Sequence, residues 1–184
     1  MSDLSPPILK IGAVVLTASG EQVLILQPLP KQQGEVPPFV LPRGSRQYAI
    51  PTAEGGVVWQ DARDAATGLA HAATLEPYLR ALTREIEEEA GVTPSQLADA
   101  RVHALGAMAF HSRSKGIYPI YWFVVVVDAA TAAQLTTQTP ADALCVRWAT
   151  LAEIKNMAAQ EQFSAGYVPV IEAALAWLRE APTP

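Results

Sequence analysis

The spacing of apolar and polar positions divides the chain into short β-rich runs around one long amphipathic helix. Ile8 to Leu16 and Gln22 to Leu26 read as two strands joined by a Ser19-Gly20 turn, a hairpin. Pro28 to Pro38 is a proline-rich loop, and Phe39 to Leu41 is a short strand ending at Pro42-Arg43-Gly44. Arg101 to Phe110 and Ile120 to Val127 read as strand partners across a polar turn from His111 to Gly116. The run Ile120-Tyr121-Trp122-Phe123-Val124-Val125-Val126-Val127 has no polar alternation, so it belongs inside a sheet covered on both faces. Cys145 to Ala149 is a further strand, Thr150 to Ile154 starts a short helix, and Tyr167 to Arg179 is a closing amphipathic helix. The expected fold class is α/β, a mixed β-sheet sandwiched between helices.

The long helix is predicted from about Leu75 or Glu76 to Ala90. Thr74 is a candidate cap, Pro77 suits only a first turn, and Gly91 suits a left-handed C-cap. With Glu85 at zero, Leu82, Ile86 and Leu79 fall at about 60°, 100° and 120°, an apolar stripe for the core. Glu88 at about 300° and Glu89 at about 40° gather beside Glu85, whereas Glu87 at about 200° points away. Like charges three or four residues apart repel by a few tenths of a kcal/mol, and a divalent cation is their natural neutraliser. A solvated acidic face is the alternative reading.

Arg84-Glu85-Ile86-Glu87-Glu88-Glu89-Ala90-Gly91-Val92 resembles the second half of the Nudix box, Arg-Glu-apolar-any-Glu-Glu-any-Gly-apolar. The required seven residues separate Glu76 from Arg84. The family's glycine would fall at Ala70, a departure from the pattern. Leu41-Pro42-Arg43-Gly44 instead resembles the turn that leads into the box, which makes Gly44 the family glycine. Between Gly44 and Glu76 stand 31 residues rather than five, an excess of 26. Arg147-Trp148 followed by Leu151-Ala152-Glu153-Ile154 is similar to the late strand and turn of many Nudix domains.

The chain thus reads as a single Nudix hydrolase domain over residues 1–184 with an insertion at about 45–75. Within the insertion, Tyr48 to Val58 reads as a loop or irregular hairpin and Gln60 to Ala73 as a weak helix interrupted by Gly68. Its role is either a lid or selectivity loop beside the site or an inert excursion.

Composition narrows the partners. The 184 residues are 50% hydrophobic and 17% charged, enough for a full core. The expectation is a soluble, cytoplasmic protein, since no signal peptide or bilayer-length run is apparent. A net charge of −5 argues against bulk nucleic-acid binding but not against a phosphorylated small substrate, because bound cations reverse the local field. Cys145 is the sole cysteine, which excludes an intrachain disulfide and a thiolate metal site; its apolar neighbours suggest packing.

What the resemblance implies is a metal-dependent pyrophosphohydrolase. Glu85, Glu88 and Glu89 would bind Mg²⁺ or Mn²⁺, with the carbonyl of Gly44 as a further ligand. Arg84 would pair with Glu76. Glu88 or Glu85 would be the general base, with Asp128, Glu153, Glu161 and His111 as secondary candidates. The Leu-Pro-basic-Gly form is common in the diadenosine and diphosphoinositol polyphosphate branches. Arg43, Arg113, Lys115 and Tyr118 are therefore candidates for holding a polyphosphate and a base. The competing reading is a Nudix-like nucleotide-binding or regulatory module without catalysis.

Overall fold

The computed structural model describes residues 8–61, 74–112, 116–135, 140 and 143–181. Strand β1 (Lys10–Thr17) turns through Gly20, whose φ of 71° suits glycine, into the antiparallel β2 (Val23–Pro28). The chain returns along β2 at Val40, then crosses to β1 as β3 (Arg43–Ser45), with Gly44 opposite Ile11. An excursion follows: β4 (Gln47–Pro51) and β5 (Val57–Asp61) form a hairpin, and β6 (Thr74–Leu75) pairs on the other edge of β4. Then come α1 (Tyr78–Ala90), α2 (Pro94–Ala98), β7 (Arg101–Ser112), β8 (Gly116–Val127), α3 (Ala129–Leu135), β9 (Ala143–Ala149), α4 (Leu151–Ala159), a 3-10 turn at Ala165–Tyr167, and α5 (Val168–Glu180).

The main sheet has the order β7-β8-β1-β2-β9, with β8 parallel to β1 and the other pairs antiparallel. β8 occupies one edge of β1 from Ile11 to Thr17, so β2 and β3 share the other, β3 at its start and β2 at its end. The pleat sends alternate β1 side chains to opposite faces. Ala13 and Val15 pack with Leu82, Ile86 and Ala90 of α1, whereas Val14 and Leu16 pack with Ile154, Ile171 and Ala174 of α4 and α5. This is the expected α/β/α sandwich, and it explains why the centre of β8 is uniformly apolar. Each fully buried large aliphatic side chain contributes roughly 1.5–3 kcal/mol. Trp122 fills the volume over Gly12, where any Cβ would overlap its ring. No helix among the described residues is long and apolar enough to cross a membrane.

Several local expectations change. The long helix begins at Tyr78, with Pro77 at its N-cap position at ψ 144°, and Thr74 lies in β6 rather than capping it. The cause is local: a residue before proline is pushed out of the helical region, so Glu76 cannot start a helix. Leu79, in the first turn, is 61% exposed, and the buried stripe is carried by Ala81, Leu82, Ile86 and Ala90. His111 and Ser112 extend β7 instead of forming a turn. The segment expected as a loop or irregular hairpin is the regular β4–β5 hairpin. Of the expected weak helix, Gln60 and Asp61 belong to β5, and the remainder lies outside the described residues. Cys145 is exposed rather than packed.

Candidate functional site

Among the described residues four polar or charged side chains are buried, Ser45, Arg46, Glu76 and Glu85, and all four meet where β3 and β4 face the start of α1. Burying charge is costly unless each group is paired, so their concentration at one junction marks a built site.

The junction begins with the backbone of β3. The Arg43 amide donates to Glu89 Oε2 at 2.7 Å and the Ser45 amide donates to Glu85 Oε1 at 3.1 Å. Two carboxylates one helical turn apart thus engage amides two residues apart on a strand, which fixes the height and rotation of α1 against β3. Between those amides sits Gly44, and a Cβ there would occupy the position of the Glu85 carboxylate. Glycine is required by this close approach.

Arg84 ties the parts together. Its Nη2 donates to the Ser45 carbonyl at 2.7 Å and to Glu76 Oε2 at 3.0 Å; its Nη1 donates to Glu85 Oε1 at 2.7 Å and to Glu88 Oε2 at 3.2 Å. Glu76, fully buried, also accepts from the Gln47 amide at 3.0 Å and lies 3.6 Å from Arg80. The expected pairing of Arg84 with Glu76 is present.

The same residues close the long excursion. The Glu76 amide donates to the Gln47 carbonyl at 2.7 Å, and Arg46 Nε donates to the Glu76 carbonyl at 2.7 Å. Arg46 Nη1 reaches the Ile8 carbonyl at 3.1 Å, and its guanidinium lies 3.9 Å from the centroid of the Tyr78 ring. Residues 47 and 76 are therefore neighbours in space, so the Gly44 turn and the segment leading into α1 meet despite the 31 residues between Gly44 and Glu76.

On α1 the three candidate metal carboxylates share a side without converging. Glu85 turns in toward Ser45 and Arg84, Glu89 engages the Arg43 amide, and Glu88 is exposed with Arg84 at its side. Among the described residues no three acidic, histidine or cysteine side chains form a metal-holding group. The donor chemistry still suits a hard divalent cation: carboxylates and a backbone carbonyl, with Arg84 shared among Glu76, Glu85 and Glu88 while Arg80 reaches Glu76 alone. Burial pushes the Glu85 carboxyl above the ordinary glutamate range, and the charge of Arg84 offsets only part of that rise.

Arg43 points its side chain the other way. Its guanidinium donates to the Tyr118 hydroxyl at 2.8 Å and lies 5.3 Å and 5.6 Å from the centroids of Phe110 and Tyr167. Phe110 and Tyr118 are cross-strand partners on β7 and β8. Arg43, Phe110 and Tyr167, together with Phe163 and Glu161, border a cleft of about 300 Å³. Burial pushes the Tyr167 phenol up, so it stays protonated. Arg113 and Lys115 lie outside the described residues.

Two of the secondary candidates for the base serve the scaffold. Asp128 Oδ1 accepts from the Thr131 amide at the start of α3, and Glu153 completes a capping box with Thr150 at the start of α4. His111 is exposed on β7, and Glu161, at a φ of 61°, stands at the aromatic cleft. Sequence reasoning missed Ser45, Arg46, Phe110 and Tyr167, which carry no motif of their own.

Neither a protein-family profile nor a curated protein matches the sequence. Solved structures do match in fold. A NUDIX hydrolase from Nitrosomonas europaea superposes at a TM-score of 0.54 with 16% identity, over 93% of this chain and 89% of that one. The NUDIX domain of Shewanella oneidensis NrtR, solved in complex with ADP ribose, gives 0.53 at 16% identity, over 97% and 91%. A mutT/nudix family protein from Listeria innocua gives 0.54 at 15% identity, over 96% of each chain. The chain has the Nudix fold.

Proposed function

We propose that the protein is a metal-dependent Nudix pyrophosphohydrolase. Its substrate would be a nucleoside diphosphate-linked or polyphosphate small molecule, with dinucleoside polyphosphates and diphosphoinositol polyphosphates the favoured types. The observation that carries this reading is the seating of the Glu85 carboxylate on Gly44, with Arg84 joining Glu85, Glu88 and Glu76 across the closed neck of the excursion. That arrangement reunites a box which the sequence divides.

Glu85, Glu88, Glu89 and the Gly44 carbonyl would hold Mg²⁺ or Mn²⁺. When bound, such ions screen the phosphates and lower the pKa of a bound water. Glu88, the exposed member, would accept a proton from an attacking water. Arg84 holds Glu85 and Glu88 in register, and Glu76 holds Arg84. Arg43 and Tyr118 would receive the distal phosphate or the attached group, with Phe110 and Tyr167 as apolar walls.

Glu88→Gln should lower Mg²⁺-dependent phosphate release by about 100-fold or more, the scale of a lost general base, while circular dichroism stays unchanged. Retained turnover would sink the assignment.

We read the chain as one cytoplasmic domain in which residues 45–75 act as a lid or selectivity loop. Replacing residues 48–75 by two glycines leaves five residues between Gly44 and Glu76, the family spacing. This variant should keep metal-dependent turnover and raise KM about tenfold, the scale of a lost contact worth 1.4 kcal/mol. An unchanged KM would mark the excursion as inert.

A second reading is a nucleotide-binding module without catalysis. It draws on the fold likeness to the NrtR domain solved with ADP ribose. Tight ADP-ribose binding without turnover of any nucleotide would favour it.

A further inference from the structure

A second cleft, of about 580 Å³, lies at the other end of the sheet, bordered by the β1–β2 turn, the start of β7 and α5. Ile11, opposite Gly44, and Ala18, on the cleft, are seven residues apart, about 23 Å at the rise of a strand. Its apolar wall is made by Val126, Leu151, Leu175 and Leu178, which pack on the α4/α5 face rather than under α1. A cleft this size is in the range that takes a small molecule.

Two guanidinium groups line it, Arg101 and Arg179. Neither has an ion-pair partner among the described residues. Arg179 Nε donates to the Leu175 carbonyl at 3.1 Å. Arg101 lies 4.8 Å from the centroid of the Trp177 ring, and its Nε is buried with no hydrogen-bond acceptor. Trp177 in turn stacks on His103, with ring centroids 4.4 Å apart. Among the described residues of a protein with net charge −5, two cations thus stand without counter-charge beside an apolar wall. Buried arginine donors are ordinarily satisfied, so an acceptor is missing from this set.

From these observations we infer that the cleft binds a small organic anion: a carboxylate, sulfonate or phosphate head on an apolar body. The head would take charge-assisted hydrogen bonds from Arg101 and Arg179, and the body would cover Leu175, Leu178 and Val126. This site is separate from the acidic helix and does not depend on its chemistry.

Anilinonaphthalene sulfonate is a suitable probe, with phenylnaphthylamine as its uncharged counterpart. Titration of the full chain should show one saturable site for the sulfonate and affinity weaker by about tenfold or more for the amine, the value of one charge-assisted contact. Arg101→Gln and Arg179→Gln should each weaken the sulfonate to a similar degree. Because Arg179 is on the exposed end of α5, its variant keeps the test informative if Arg101→Gln fails to fold. Absence of saturable binding, equal affinity for the two probes, or unchanged affinity in the folded variants would overturn the inference.

Discussion

Gly44→Ala is expected to cost about 100-fold or more in kcat/KM while leaving most of the protein folded. The new Cβ would take the place of the Glu85 carboxylate, and that carboxylate, at the end of a flexible side chain, would yield before the backbone of β3. Its departure strips the buried Ser45 amide of its acceptor, a loss of about 1–3 kcal/mol. It also moves Glu85 away from Arg84 and from the proposed metal position. Displacement of a reacting group by about 1 Å is enough for a 100-fold loss. Steady-state kinetics with chemical denaturation separates the two effects. Near-wild-type kcat/KM in Gly44→Ala would show that the contact between β3 and α1 does not shape the reactive geometry.

Glu76→Ala should produce the largest loss of stability, about 3–5 kcal/mol, the usual result of removing one partner of a buried ion pair. The carboxylate is fully buried and serves Arg84, Arg80 and the Gln47 amide together. Its removal leaves Arg84 bonded to Glu85, Glu88 and the Ser45 carbonyl but without its link to the far end of the excursion. For a chain of this size each kcal/mol shifts the melting temperature by about 2–4 °C, so calorimetry should register a fall of roughly 6–20 °C. Glu76→Gln keeps an acceptor for the Gln47 amide and should lose less. A melting temperature within about 2 °C of wild type in Glu76→Ala would mean that the neck is held elsewhere.

Both variants bear on the same design. The two segments that resemble the box are apart in sequence, and they are brought together by a few bonds among Arg46, Gln47, Glu76 and Arg84. An excursion of this length adds little closure entropy beyond that of a shorter loop, because the cost grows only with the logarithm of length. Its tolerance therefore depends on whether its ends are clamped, and here they are.

How far the sequence disclosed this arrangement follows from the range of each interaction. β8 and the centre of α1 were legible because burial on two faces, or along one stripe, leaves a local pattern. The start of α1 was misplaced because Thr74 looks like a cap, although the constraint of Pro77 on Glu76 excludes a helix there. The burial of Glu85 was implicit: at zero on the helical wheel it falls between Ala81, at about 320°, and Leu82, at about 60°, both buried. Arg46 and Ser45 were illegible because their roles arise only when residues 47 and 76 meet, a pairing that no local pattern encodes. Phe110 and Tyr167 look like core aromatics in sequence, and only the approach of the Arg43 guanidinium to both rings, one on β7 and the other in the 3-10 turn, relates them to the site.

The most direct test of the central claim is phosphorus NMR of the wild-type protein incubated with Mg²⁺ or Mn²⁺. The panel comprises dinucleoside polyphosphates, nucleotide sugars, ADP-ribose, nucleoside triphosphates and inositol pyrophosphates. The account predicts cleavage of a phosphoanhydride in at least one of them, abolished by chelation of the metal. Intact substrates throughout, or cleavage that persists after chelation, would contradict it.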